Sequence, residues 1–524
     1  MLRSTWLPVG TVMKVQAINI PNKVAVKDKF RQLTFKEWNE RSNRLANALT
    51  SLGVGKGDKF AVLAYNCIEW MEIYAAASKG GQVAVPVNFR LAGPEIEYIV
   101  NHSDSKAFIV AQEFKETVNG IRSNLKISES CYISFGSEII PDGWRSYEEL
   151  LAGASLGEPA VSVDGEDPWM IMYTSGTTGK PKGAVRNHQA TIAEFLINIV
   201  ELGFRQDDIG LLVMPMCHIN SVFYSFVFTY MGASCFVYNM TTFDPEDLLK
   251  TIEKERITFT SLVPTHYIMI LSHPNRDRYN VSSVRKLVCS SAPVRRSTKL
   301  EIMDYFKGVD FFEIYGSTEA GSVTLLRPEE QLNKVGSIGK EVMGTDRIKL
   351  LDEEGNEVPD GEVGELFART PEIFTEYWKD LEKTKQAFRG EWFSAGDMAK
   401  RDSDGYYYLV DRKANMIITG GENVFPSEVE NVVGSHPAVQ DVAVIGVPHE
   451  KWGEAVKAVV ILKEEGEILE PELISYCKGK IAGYKVPKSV DFIKDEEMPR
   501  TATGKILHRI LRERYGKWSD FSQK

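Results

Sequence analysis

A short apolar run, Phe60–Ala64, is followed by Trp70, Ile73, Tyr74 and Ala77 at helical spacing, then by Gly80–Gly81 and a second apolar run, Val83–Val87. Two buried strands joined through a helix pair in parallel, because a tight hairpin has no room for the crossover. The unit recurs. Asp244 can cap a helix with Pro245 at its first position and Leu248, Leu249 and Ile252 on its apolar face; the strand Ile257–Val263 follows and stops at Pro264. With Trp169–Tyr173, Lys286–Cys289 and Phe311–Tyr315 as further strands, the chain reads as α/β, with parallel-type sheets covered by helices.

Four of these strands run directly into polar or glycine-bearing segments: Thr174–Lys182, Pro264–Tyr267, Ser290–Pro293 and Gly316–Glu319. Ligands of open α/β sheets bind beyond the carboxyl ends of strands, so the four segments are expected to converge. After about residue 335 the pattern changes to short strands between Gly/Asp turns (Arg347–Leu351, Glu365–Ala368, Tyr406–Val410), a small β-rich subdomain. Beyond Asp411, strands Val439–Ile445 and Ala455–Leu462 around a turn at Val447–Pro448, with a helix from about Pro471, suggest a small α+β domain. The expected division is 1–410 and 411–524, in keeping with a length of 524 residues.

Composition narrows the function classes. A net charge of −10 argues against a broad nucleic-acid footprint, yet leaves room for an anionic nucleotide held by local cations and amides. Six scattered cysteines with no C-x-x-C read as reduced thiols, not disulfides or a zinc site. The first residues, MLRSTWLPVGTVMK, lack the apolar stretch of a secretory signal, so a cytoplasmic location is expected. Ile219–Tyr238 carries no charge, but its Ser, Thr and Asn residues and the break at Gly232–Ala233 favour a buried helix, turn and strand over a membrane span.

The strongest chemical signal is the run from Tyr173 to Gly183, with Thr174, Ser175, Gly176, Thr177, Thr178, Gly179, Lys180 and Lys182. Small residues leave backbone N–H groups open to phosphate oxygens, and the two lysines add charge. It is not a Walker loop, because Pro181 follows Gly179–Lys180 and the earlier glycine is missing.

This loop resembles the signature of the adenylate-forming enzymes, in particular the AMP-forming acyl-CoA and aryl-CoA ligases. The match continues in register through Tyr315-Gly316-Ser317-Thr318-Glu319, Ser394-Ala-Gly-Asp397, Asp411-Arg412-Lys413, Gly420-Gly421-Glu422-Asn423 and Pro499-Arg-Thr-Ala-Thr-Gly-Lys505. The resemblance implies ATP, Mg²⁺ and CoA as cosubstrates and cofactor, and it assigns roles. Lys505 would neutralise carboxylate and α-phosphate during adenylation, Thr318 would bond the α-phosphate, and Glu319 would hold Mg²⁺. Asp397 would accept from both ribose hydroxyls, Arg412 would contact ribose and phosphate, and Tyr315 would stack near adenine. Gly316, Ser317, Ser291, Ala292 and Pro293 would complete the nucleotide site. The C-terminal domain would rotate at Asp411, withdrawing Lys505 and presenting Gly420, Gly421 and Glu422 to the pantetheine arm of CoA.

His218, in Pro215-Met-Cys-His-Ile-Asn-Ser221, falls beside the family's acyl site and is expected to gate or position the acid. Neither 217–225 nor 264–267 offers a cation for a second carboxylate, so a monocarboxylic fatty, aromatic or alicyclic acid is the expected substrate. Two segments depart from the family pattern: Ser290-Ser-Ala-Pro293, and Pro371-Glu-Ile-Phe-Thr-Glu-Tyr377 before Trp378. Both are expected to leave the catalytic residues untouched. Alternatives are a ligase loading a carrier protein, a luciferase-like oxygenase and a non-catalytic nucleotide-binding relative. No nucleic-acid partner and no membrane span are expected, and a homodimer is compatible with the reading.

Overall fold

The computed structural model describes residues 7–137, 140, 142–174, 181–290, 294–419, 422–449, 451–463, 466–501 and 504–516. The chain forms two compact units, Met1–Arg347 with Ala368–Phe393, and Ile348–Phe367 with Ser394–Lys524.

The first unit is built on two large sheets. In one, of eight strands, Pro168–Thr174, Val83–Pro86, Lys59–Leu63, Ser105–Ala111, Tyr132–Phe135 and Arg145–Ser146 run parallel. The antiparallel strands Lys182–Asn187 and Glu376–Tyr377 close its edge. The expected strand–helix–strand unit is present: the helix Glu69–Gly80 stops at Gly81, whose φ of +66° suits glycine.

The second sheet has nine strands. Its parallel centre includes Ile209–Leu212, Phe259–Leu262, Lys286–Cys289 and Asp310–Ser317, and the last of these turns back into Gly321–Leu326. Asp244 caps the helix Pro245–Glu255 as expected, accepting from the N–H groups of Glu246 and Asp247. The charge-free segment forms the helix Ile219–Tyr230 and the strand Ser234–Val237, and Phe226 packs edge-on to Trp169 with ring centres 5.0 Å apart. Among the described residues no helix is long and apolar enough to cross a membrane.

The four strand ends expected to converge come from two sheets: Pro168–Thr174 belongs to the eight-stranded sheet and the other three to the nine-stranded one. Strand–helix alternation fixes parallel pairing inside each sheet but does not say where one sheet ends and the next begins.

In the second unit, Lys349–Leu351, Val363–Phe367, Asp397–Arg401 and Tyr407–Arg412 form an antiparallel sheet. A five-stranded sheet follows, in which Val439–His449 and Gly453–Leu462 pair closely along their length. The turn expected at Val447–Pro448 is absent, and the strand continues to His449. Pro448 is tolerated because Val439–His449 is an edge strand. The helix Glu470–Cys477 starts next to Pro471 as expected.

Candidate active site

In the first unit, Thr174 ends one strand and Lys182 begins the next, and the two residues pair across an antiparallel ladder. The strands on either side of the Gly/Ser/Thr run are thus antiparallel neighbours, whereas a Walker loop leads from a strand into a helix. Ser175, Gly176, Thr177, Thr178, Gly179 and Lys180 lie outside the described residues, as do Ser291, Ala292 and Pro293. The Lys182 ammonium lies over the Tyr377 ring, 4.2 Å from its centre.

Tyr315, Gly316 and Ser317 end the strand Asp310–Ser317, and Thr318–Ala320 make the turn into Gly321–Leu326. The Ser317 hydroxyl accepts from the Ala320 N–H at 3.0 Å. Glu319 is buried, and its Oε1 accepts from the Tyr377 hydroxyl at 2.8 Å and from the Thr174 hydroxyl at 3.4 Å. The Glu319 carbonyl accepts from the Phe374 N–H at 2.6 Å. The 371–377 segment was expected to leave the catalytic candidates alone; instead it grips Glu319 by side chain and backbone. Its neighbours Thr375 and Trp378 donate to the carbonyls of Val185 and Gly183, so one strand edge laces the loop strand to the Glu319 turn.

The turn is closely packed. Gly321 has φ +71°, and a Cβ there would lie 2.1 Å from Glu372 Oε2. Replacing Gly321 by Ala should therefore cost about 2–4 kcal/mol, from left-handed strain and overpacking together. Urea unfolding checks this, and an unchanged midpoint would contradict the tight fit.

His218 stands at the N-cap position of the helix Ile219–Tyr230 without a side-chain capping bond among the described residues, and burial pulls its imidazole down to about 4, so it is neutral at physiological pH. Its Nδ1 is buried with no hydrogen-bond partner among the described residues. In the first turn of this helix, Asn220 Nδ2 donates to the hydroxyls of Ser261 at 2.9 Å and Ser290 at 3.4 Å, joining the helix start to the ends of two strands. Sequence spacing gave no sign of Asn220, because its partners are 41 and 70 residues away. Arg90, on the turn before the helix Gly93–His102, is exposed; burial first and Arg90 next pull His266 down to about 4, while at Cys217 Arg90 only slightly offsets the burial that pushes the thiol up to about 12.

The second unit gathers another set. Asp397 and Arg412 face each other across adjacent strands, with Arg412 Nε 3.0 Å from Asp397 Oδ1. Asp411 accepts from the Ser427 N–H at 3.0 Å and the Asn415 amide at 3.3 Å, tying the end of its strand to the helix Pro426–Val433. Gly420 and Gly421 lie outside the described residues, and the exposed Glu422 pairs with Thr419 beside them.

Lys505 sits in a closed loop: the Thr501 N–H donates to its carbonyl at 2.7 Å, and its own N–H donates to the Thr501 hydroxyl at 3.1 Å. Its ammonium is pulled down to about 8, first by desolvation and next by the Arg412 guanidinium, against the raising influence of Asp397 and Asp411. The residue keeps exposed surface. The shift thus reflects a crowded ammonium end with a cation nearby, not an enclosed side chain.

These features, a glycine-rich hairpin beside a buried glutamate and a lysine grouped with an aspartate and an arginine, define an enzyme that handles an anionic nucleotide. The AMP-binding enzyme family model matches residues 13–378, and the model of the AMP-binding enzyme C-terminal domain matches residues 428–505. A feruloyl-CoA synthase of an Amycolatopsis species is 36% identical over 95% of this chain and 96% of its own. A long-chain-fatty-acid–CoA ligase of Mycobacterium tuberculosis, FadD13, is 35% identical over 92% of this chain and 93% of its own. The crystal structure of the anthranilate CoA ligase AuaEII in complex with anthranoyl-AMP superposes with a TM-score of 0.87 at 31% identity, covering 98% of both chains. The chain belongs to the AMP-binding enzyme family and, within it, to the AMP-forming acyl-CoA ligases.

Proposed function

We propose that the protein activates a monocarboxylic acid (fatty, aromatic or alicyclic) with ATP and passes the acyl group to coenzyme A. The observation that carries this reading is the bond from Thr174 to Glu319, which brings the glycine-rich hairpin to a carboxylate 145 residues away.

A carboxylate resists thiols because its carbonyl is electron-rich and oxide is a poor leaving group. In the first step a carboxylate oxygen attacks the α-phosphorus of ATP and the bond to pyrophosphate breaks, giving acyl-AMP. Two anions must meet, so the step needs positive charge and fixed placement. Lys505 supplies the charge, Thr318 and the hairpin amides hold phosphate oxygens, and Asp397 with Arg412 holds the ribose. Tyr315 lies against adenine, and His218, neutral as placed, positions the acid. In the second step the sulfur of CoA attacks the acyl carbon, loses its proton, and AMP departs. The domain from 411 onward would turn about Asp411 between the steps, bringing residues 420–422 to CoA.

Glu319 suits a magnesium ion in kind. It is an oxygen donor held through Oε1, and its Oε2 makes no hydrogen bond among the described residues. No group of three or more His, Cys, Asp or Glu side chains fit for a metal occurs among them, which agrees with an ion that keeps waters and substrate phosphates as its other ligands. When bound, magnesium would offset phosphate charge.

The pKa of Lys505 makes a signed prediction. A lysine lowered to about 8 is protonated below that pH and loses its charge as pH rises through it. Adenylation kcat/KM, which reports the free enzyme, should fall about tenfold per unit above pH ~8. Lys505→Arg should lack that alkaline limb; an identical limb in the variant would assign it to another group. The function itself is tested by a carboxylic-acid panel that includes a dicarboxylate, following pyrophosphate release with and without CoA. A dicarboxylate preferred by kcat/KM would remove the monocarboxylate reading and turn attention to Arg90. Pyrophosphate release from no acid would remove the ligase reading.

A further inference from the structure

Beside the Glu319 turn lies a buried charge cluster to which the family resemblance gives no role. Arg186 is fully buried in the strand Lys182–Asn187, just after the glycine-rich hairpin. Its Nη2 pairs with Glu194 on the helix His188–Glu201. Its Nη1 donates to two backbone carbonyls, Glu372 at 2.7 Å and Thr318 at 3.2 Å. Glu372 is buried as well, and its Oε2 accepts from the Ser322 N–H at 2.6 Å. Burial and then the neighbouring Glu194 push Glu372 well above the usual carboxylate range.

A buried ion pair is a poor device for stability alone, because apolar residues of equal volume often serve as well. What an apolar residue cannot do is aim a planar fork at fixed acceptors. Here the fork ends on the Thr318 carbonyl, and the next carbonyl, that of Glu319, is held by the Phe374 N–H. The Thr318 carbonyl, through Arg186, and the Glu319 carbonyl, directly, are therefore tied to one segment, 372–374.

We propose that Arg186, anchored by Glu194, is a positioning residue for adenylation that sets the Thr318–Glu319 peptide against the phosphates. The proposal rests on the ligase reading above. Arg186→Lys keeps the charge but loses the two-carbonyl fork, and Glu194→Ala frees the guanidinium from its anchor. Glu194→Gln preserves an acceptor for Nη2. In acid-dependent ATP–pyrophosphate exchange, kcat of the first two variants should fall about 10- to 100-fold with KM for ATP changed less than about threefold, and the Gln variant should stay near wild type. Amide hydrogen exchange should quicken across 315–321 in Arg186→Lys while the strand Lys59–Leu63 is unchanged. A purely structural role would instead lower the unfolding midpoint and leave kcat per folded molecule within about twofold, which overturns the proposal. If Arg186→Lys does not fold, Glu194→Ala decides by the same kcat and exchange criteria. Wild type in the same assay separates the two claims. No exchange with any acid sinks the ligase reading, and the amide-exchange comparison still judges Arg186. Exchange in wild type with unaltered variants sinks the Arg186 proposal alone.

Discussion

Replacing Lys505 by Ala should reduce adenylate formation about 10³-fold or more while thioester formation from supplied acyl-AMP stays within a few-fold of wild type. The reason lies in where charge is needed. Carboxylate and α-phosphate repel as they meet, and a cation placed there is worth about 3–4 kcal/mol or more when it acts only on the way to the transition state. The second step begins from an adenylate whose acid charge is already gone, so it makes no such demand. Single-turnover measurements of the two half-reactions check the split. Equal loss of both would mean that Lys505 serves the fold or the nucleotide site generally, and would remove the two-step division of labour.

Removing the Glu319 carboxylate should have the next largest effect. Glu319→Ala should lower the rate of pyrophosphate exchange about 10²–10³-fold at saturating ATP, with a smaller loss in stability of about 1–2 kcal/mol from the Tyr377 hydroxyl left without its acceptor. Tyr377→Phe, which removes one of the two donors to Oε1 and keeps the carboxylate, should fall between wild type and Glu319→Ala. Exchange rates across a magnesium titration, with thermal unfolding alongside, distinguish the outcomes. Full activity in Glu319→Ala would take the carboxylate out of the chemistry and leave it a packing role.

The fold class was readable because it depends on local signals. Asp244 and Pro245 start a helix and Gly81 ends one by rules that operate within a few residues. The expected strands Trp169–Tyr173, Lys286–Cys289 and Phe311–Tyr315 each fall within a strand of the structure. The allocation of those strands to two sheets was not readable, because a crossover of given length serves either arrangement. Pro448 misled for a related reason: proline reads as a break until the strand is known to be an edge.

The candidate site divides in the same way. Glycines, hydroxyls and charges at fixed spacing mark the hairpin, the Tyr315–Glu319 turn and the Lys505 loop, since phosphate chemistry requires those residue types next to one another. Tyr377, Glu372 and Asn220 carry no such mark, because their partners are brought up by other strands. Arg186 left a faint signal, a charge directly after the apolar Ala184–Val185 in a strand, but nothing in the sequence says that its fork ends on Thr318. Sequence alone determined which groups are candidates for the chemistry, because near-neighbour spacing sets the local motifs that carry the family resemblance. The tertiary structure decided what holds those groups still, because support comes from hydrogen bonds and ion pairs whose partners meet only after the sheets have formed.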